Sequence, residues 1–281
     1  MDTRPIGVFD SGLGGLTSVK ELVRLLPGED ILYFGDTGRV PYGSRGRDSI
    51  TRFAQQDVAF LQSHGVKALV CACGTISTVA GELLARTAEV PFFMVVEPAS
   101  RAAAAAARSG RIGVIGTNAT IRSGKFQQTL EALCPGAEVT AIPCPLFVPL
   151  VEAGHIGLDD PLTNLAVAQY LQPLADRGID TLVLGCTHYP ILAPVIDRFF
   201  GGRVTLVDSG QQAALAAAER LNRDGLLSGR TAGGQCSYYV TDDPQGFAQV
   251  AGIFLGTPVA DSATQVDIGI LENILASGGR G

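Results

Sequence analysis

Short runs rich in Val, Ile, Leu and Phe recur along the chain, each followed by a longer segment whose apolar residues have helical spacing. This alternation narrows the fold more than any other feature. It builds parallel sheets covered on both faces by helices, so the expected class is α/β. Strands are expected at about 6–9, 31–34, 68–72 and 92–96, then at 111–116, 138–142, 180–184 and 203–207, with one more at 238–241. Helices are expected at 209–222 and 244–255, and 228–234 reads as a loop.

The two trains of four strands repeat one another. Ile6-Gly7-Val8-Phe9 opens the first and Ile112-Gly113-Val114-Ile115 the second. The third strand of the first train, Ala68-Leu69-Val70-Cys71-Ala72, runs into Cys73-Gly74-Thr75. That of the second, Thr181-Leu182-Val183-Leu184-Gly185, runs into Cys186-Thr187-His188. Two pseudo-symmetric domains are therefore expected, each a mostly parallel sheet flanked by helices, with the site in the cleft between them. The first spans 1–97 and is re-entered by 208–281, the second spans 98–207, and a chain of 281 residues is long enough for two cores. An alanine-rich helix after Glu97-Pro98 joins them. From about Ser262 the signals weaken, and Ser277 to Gly281 reads as a frayed terminus.

With 46% hydrophobic and 17% charged residues, a packed globule is expected, and no apolar run approaches the roughly 20 residues that span a bilayer. The N-terminus lacks a secretory signal pattern, which points to the cytoplasm. A net charge of −6 argues against a nucleic-acid partner and for a small ligand. Six cysteines in a core-rich chain of this kind are expected as reduced thiols. A homodimer is the base-rate expectation.

Ligands of open α/β sheets sit beyond the carboxyl ends of the strands, where Cys73 and Cys186 fall, each expected just before a helix that lowers the thiol pKa. Any single cysteine is more simply a core residue; the matched pair is what points to chemistry. Two such groups facing one cleft satisfy a two-base inversion at carbon, one taking a proton from one face while the other delivers a proton to the opposite face. Cys71, Cys134, Cys144 and Cys236 have no such partner.

The loop Asp10-Ser11-Gly12-Leu13-Gly14-Gly15 lets backbone N–H groups approach an anion, without the spacing of a dinucleotide site. Asp10 either caps the following helix or serves the site, by holding an ammonium or tuning a thiol. Pro41-Tyr42-Gly43-Ser44 is either a turn or a carboxylate cradle. Glu152, ending an apolar stretch that begins at Cys144, and His188 are the candidates to assist Cys186.

Cys71, Cys73, Cys186 and His188 are too tightly spaced for a usual zinc set, so no metal is expected. Pyridoxal phosphate needs a lysine, and neither Lys20 in mid-helix, nor Lys67 at the far end of the third strand, nor Lys125 without evident partners, suits it. A cofactor-free reaction fits best.

Together, Phe9 to Gly15, Gly35-Asp36 with Pro41-Tyr42-Gly43, Cys73 with Thr75, Ile112 to Thr117, Cys144 to Glu152 and Gly185-Cys186-Thr187-His188-Tyr189-Pro190 resemble the glutamate racemases, of the cofactor-independent aspartate/glutamate racemase superfamily. The resemblance covers nearly the whole chain. It implies that Cys73 exchanges the α-proton on the D-glutamate side and Cys186 on the L-glutamate side, with Asp10, Glu152 and His188 tuning the thiols. It also implies substrate contacts from Ser11, Tyr42, Gly43, Thr75, Thr187 and His188, a supporting role for Asp36, and a supply of D-glutamate for peptidoglycan; beside these, Asp10, Pro41, Ser44 and the Gly74 backbone are further candidates for substrate contact and Thr117 for support. One departure stands out: Gly74 occupies a position where that family most often has asparagine. It keeps open an aspartate or broader amino-acid racemase, and beside it a catalytically silent amino-acid-binding regulator.

Overall fold

The computed structural model describes residues 1–258 and 263–277. Ten strands are present among them: β1 Ile6–Asp10, β2 Ile31–Gly35, β3 Ala68–Cys71, β4 Phe92–Met94, β5 Arg111–Gly116, β6 Glu138–Pro143, β7 Thr181–Leu184, β8 Thr205–Asp208, β9 Cys236–Val240 and β10 Thr264–Gln265. The helices are α1 Leu16–Leu25, α2 Arg47–Ser63, α3 Gly74–Val79, α4 Gly81–Thr87, α5 Val96–Ala106, α6 Asn118–Arg122 and α7 Lys125–Leu133. They continue as α8 Phe147–Glu152, α9 Pro161–Asp176, α10 Ala193–Phe200, α11 Ser209–Arg223, α12 Pro244–Leu255 and α13 Ile268–Ser277. Every one of the nine expected strands is found, within a few residues of its expected bounds.

The strands form two sheets with every pairing parallel, in the orders β10-β9-β2-β1-β3-β4 and β6-β5-β7-β8. The second order is the same as β2-β1-β3-β4 of the first, which is the architectural form of the repeat. In register, Ile6 pairs with Ala68 and Ile112 with Thr181, so Cys73 and Cys186 lie the same number of positions beyond equivalent rungs. Ser11 and Thr117 are matched in the same way after β1 and β5. The second strands end differently, in Asp36 and Cys144.

Strands β1, β2, β3 and β7 are buried along their whole length, because helices cover both faces of each sheet, and their near-continuous apolar sequences reflect that. Helix starts carry their own stop signals for the strands: Asp208 accepts from the amides of Gly210 and Gln211 at α11, Thr117 from Thr120 at α6, and Asp243 from Gln245 and Gly246 at α12. Gly256, with φ of 75°, closes α12 in the left-handed conformation that a side chain disfavours. No helix among the described residues is long and apolar enough to cross a membrane.

Although the sequence signals weaken from about Ser262, residues 263–277 are built into the fold: they add β10 to the edge of the first sheet and pack α13 on α2, burying Val266 and Leu271. Ser262 itself and 278–281 lie outside the described residues.

Candidate active site

Cys73 is the N-cap of α3 and is buried, with its Sγ 3.4 Å from the Ser11 hydroxyl. Asp10, at the end of β1, is buried; its Oδ2 accepts from the Gly12 amide at 3.1 Å, while Oδ1 has no hydrogen-bond partner among the described residues. A side chain on Gly15 would meet the Asp10 Cβ at 2.6 Å, so the glycine loop is what lets the carboxylate turn inward. Helix α1 has no side-chain cap, so Asp10 is not merely a capping residue.

Cys186 also is buried, but it precedes a 3-10 turn at Tyr189–Leu192 rather than an α-helix. His188 stands beside it; its Nε2 lies 2.9 Å from Glu152 Oε1, and its Nδ1 3.5 Å from the Thr187 hydroxyl. Glu152 is the last residue of α8, the helix that follows β6. The Phe254 ring of α12 meets the His188 ring edge-on, with centroids 5.1 Å apart. Sequence reasoning did not single out Phe254, because a phenylalanine in an amphipathic helix carries no signal beyond core packing.

The expectation that helix ends lower the thiol pKa is overturned. Burial pushes the Cys73 thiol up to about 12, with the nearby Asp10 carboxylate adding to the rise against the bonds from Ser11 and the Ile76 amide. Burial likewise raises Cys186, with Cys73, Asp10 and Glu152 contributing. At Cys73 desolvation outweighs the dipole of a six-residue helix, and at Cys186 no α-helix follows directly to oppose it. The Asp10 carboxyl is raised as well, by burial, against the field of His188.

The Pro41–Ser44 loop is more than a turn. The Tyr42 hydroxyl donates to Asp36 Oδ2, and the Arg39 guanidinium bonds Asp36 at 2.6 Å, Asp57 at 3.2 Å and the Gln56 amide oxygen. Thr241, just past β9, donates to Asp36 Oδ1 at 2.8 Å and accepts from the Gly38 amide at 2.8 Å. All of Asp36, Arg39, Tyr42, Gln56, Asp57 and Thr241 are buried. Asp36 thus anchors the loop from within, whereas Arg39, Gln56, Asp57 and Thr241 are partners the sequence did not indicate, since they meet only through the fold.

Two carboxylates and one guanidinium in a closed site invite a shared proton. Burial and Asp36 raise Asp57 well above the carboxylate range. The native state then keeps a proton that the unfolded chain releases above about pH 4, so this group lowers stability as pH rises. Asp57→Asn is expected to match the parent in thermal midpoint near pH 4 and to exceed it increasingly toward pH 7.5; a constant or shrinking gap in a pH series of melts contradicts the protonated Asp57.

Across the cleft, the Thr75 hydroxyl lies 2.9 Å from that of Thr117, Thr17 Oγ1 donates to the Thr187 carbonyl at 3.3 Å, and Gly43 faces Thr117. The expected site residues of the two sheets therefore converge on one place. Lys67 is paired with Glu29 beneath the first sheet, away from it. Lys125, expected to lack partners, pairs with Glu82 on the surface. Among the described residues no group of three or more His, Cys, Asp or Glu side chains is arranged to hold a metal ion.

Two like-ordered parallel sheets, with buried Cys73 and Cys186 at matched positions just beyond their third strands, define an α/β fold of two pseudo-symmetric halves. The profile of the Asp/Glu/Hydantoin racemase family matches residues 6–218, and the chain belongs to that family. It is 46% identical to the glutamate racemase of Geobacter metallireducens over 261 residues, 93% of this chain and 96% of that one. The glutamate racemase of Francisella tularensis, solved in complex with D-glutamate, superposes with a TM-score of 0.88 at 38% identity, covering 95% of this chain and 99% of that one. That of Thermus thermophilus, in complex with β-chloro-D-alanine, gives 0.86 at 43% identity, covering 96% and 99%. The chain is accordingly a racemase, an enzyme of the isomerase class.

Proposed function

We propose that the chain interconverts L- and D-glutamate by a two-thiol proton transfer and supplies D-glutamate for peptidoglycan in the cytoplasm. The observation that carries this reading is the matched position of Cys73 and Cys186 beyond equivalent rungs of two sheets with the same strand order. In this scheme Cys73 serves the D face and Cys186 the L face. The domains that present them are 1–97 with 208–281, and 98–207.

The substrate brings a charge complementary to Asp10. Its ammonium is the natural partner of the unpaired Asp10 Oδ1, and a positive charge beside buried thiols lowers the cost of forming a thiolate. One thiolate then removes the α-proton, and the thiol opposite delivers its own proton to the other face. Ser11 orients Cys73, while His188, held by Glu152, serves Cys186. Backbone and hydroxyl groups of Tyr42 to Ser44, Thr75 and Thr187 are suited to bind the two carboxylates, with Asp36 holding the loop and Thr117 bonded to Thr75.

Incubation of the reduced protein with L-glutamate, D-glutamate or L-aspartate in D₂O, followed by α-proton NMR and optical rotation, tests the reading. Loss of both signals with glutamate, faster than with aspartate, is the expected result. Preference for aspartate makes the chain a different racemase, and binding without exchange makes it a regulator.

A further inference from the structure

Gly74 is the first residue of α3, and a Cβ built on it would lie 2.1 Å from the carbonyl oxygen of Gly185 and 3.2 Å from the carbonyl carbon. These two residues belong to opposite halves of the cleft, each adjoining one of the cysteines. Both backbones are held: the Thr78 hydroxyl donates to the Gly74 carbonyl at 2.8 Å, and the Gly185 amide donates to Ile115 at 2.8 Å. Gly74 has no left-handed φ, so the backbone does not require glycine there; the space does.

Two other glycines face the second half across the cleft. A Cβ on Gly14 would fall 2.1 Å from the Thr187 hydroxyl, and one on Gly43 would fall 2.9 Å from the Thr117 Cβ. The Thr187 hydroxyl can rotate aside, but a Cβ is fixed by its backbone; the Thr187 Cβ, 2.7 Å from a Cβ on Gly14, and the Thr117 Cβ ask for a smaller shift than the 2.1 Å approach at Gly74. The Gly185 carbonyl is backbone, and only separation of the two halves clears it.

We propose that Gly74 is a positioning residue that sets how far the cleft shuts: its bare first turn lets the two cysteine-bearing loops meet, and any side chain there props them apart. Ordinary contact begins at 3.4 Å, so a Cβ at Gly74 must shift the halves by more than about 1 Å. Proton transfer between carbon and sulfur is sensitive to that distance, and a misplacement of about 1 Å is enough to cost about 10²-fold in rate. The asparagine of the related pattern thus has no room in this chain as it is closed here. The inference rests on the two-thiol reading for its kinetic consequence and on geometry alone for its structural one.

The test is Gly74→Ala and Gly74→Asn, measured for kcat, KM and thermal midpoint, together with a crystal structure of the alanine variant. The expected result is a kcat lower by about 10²-fold for alanine and at least as much for asparagine, with a smaller change in KM. The thermal midpoint should stay within a few degrees, since the halves part without unfolding, and the structure should show α3 drawn away from Gly185 by more than about 1 Å. Gly43→Ala should lose less, because its nearest obstacle, the Thr117 Cβ at 2.9 Å, asks for a smaller shift than the Gly185 carbonyl does. A kcat within about threefold of the parent for either variant, or loss confined to a smaller folded fraction, overturns the proposal. So does a crystal structure with the halves unmoved. Absence of α-proton exchange in the parent would instead sink the racemase reading, and the variant's structure would still decide whether Gly74 sets the closure.

Discussion

Cys73→Ala and Cys186→Ala are each expected to abolish inversion, with kcat/KM reduced by at least about 10³-fold, or about 4 kcal/mol of transition-state stabilisation. The two enantiomers of an amino acid have equal free energy in water, so kcat/KM in the two directions must fall together whichever thiol is lost. The lost thiol is identified by isotope exchange instead. In D₂O the Cys73 variant should fail to exchange the α-proton of D-glutamate while retaining slow exchange with the L form, and the Cys186 variant should do the reverse. Equal residual exchange with both enantiomers in either variant would sink the assignment of faces, and full racemisation would sink the two-thiol scheme.

Asp10→Asn carries the next largest effect. The carboxylate is buried with one oxygen unpaired, a state that costs about 1–3 kcal/mol until a donor arrives. Asparagine preserves the size and the bond from the Gly12 amide but loses the charge that attracts an ammonium and adjoins Cys73. A fall in kcat/KM of about 10²–10³-fold is expected, shared between weaker binding and slower exchange. Kinetics within about threefold of the parent would reduce Asp10 to a structural residue. A normal rate constant with a raised KM would confine its role to the ammonium.

The repeat of strand and cysteine was legible because it depends on local patterns: apolar runs of strand length, and a Cys placed alike after two of them. Strand order could be anticipated only as far as the repeat went. The place of β9 beside β2 rests on pairing between segments some two hundred residues apart, which periodicity does not encode. The cluster around Asp36 was hidden for the same reason, since Arg39, Asp57 and Thr241 are unremarkable until the fold brings them within hydrogen-bond reach. The direction of the thiol pKa was misjudged because sequence indicates a helix end but not the depth at which it is buried.

The return of the chain to its first sheet has a consequence for synthesis. On a ribosome, the strands of residues 6–94 emerge early, yet β2 remains an unpaired edge until residues 236–240 are made. Thr241 reaches Asp36 only then, and α13 covers α2 later still. A nascent chain that already holds both cysteines would therefore lack the lock on its Tyr42 loop, so that maturation of the site is deferred to the last part of translation.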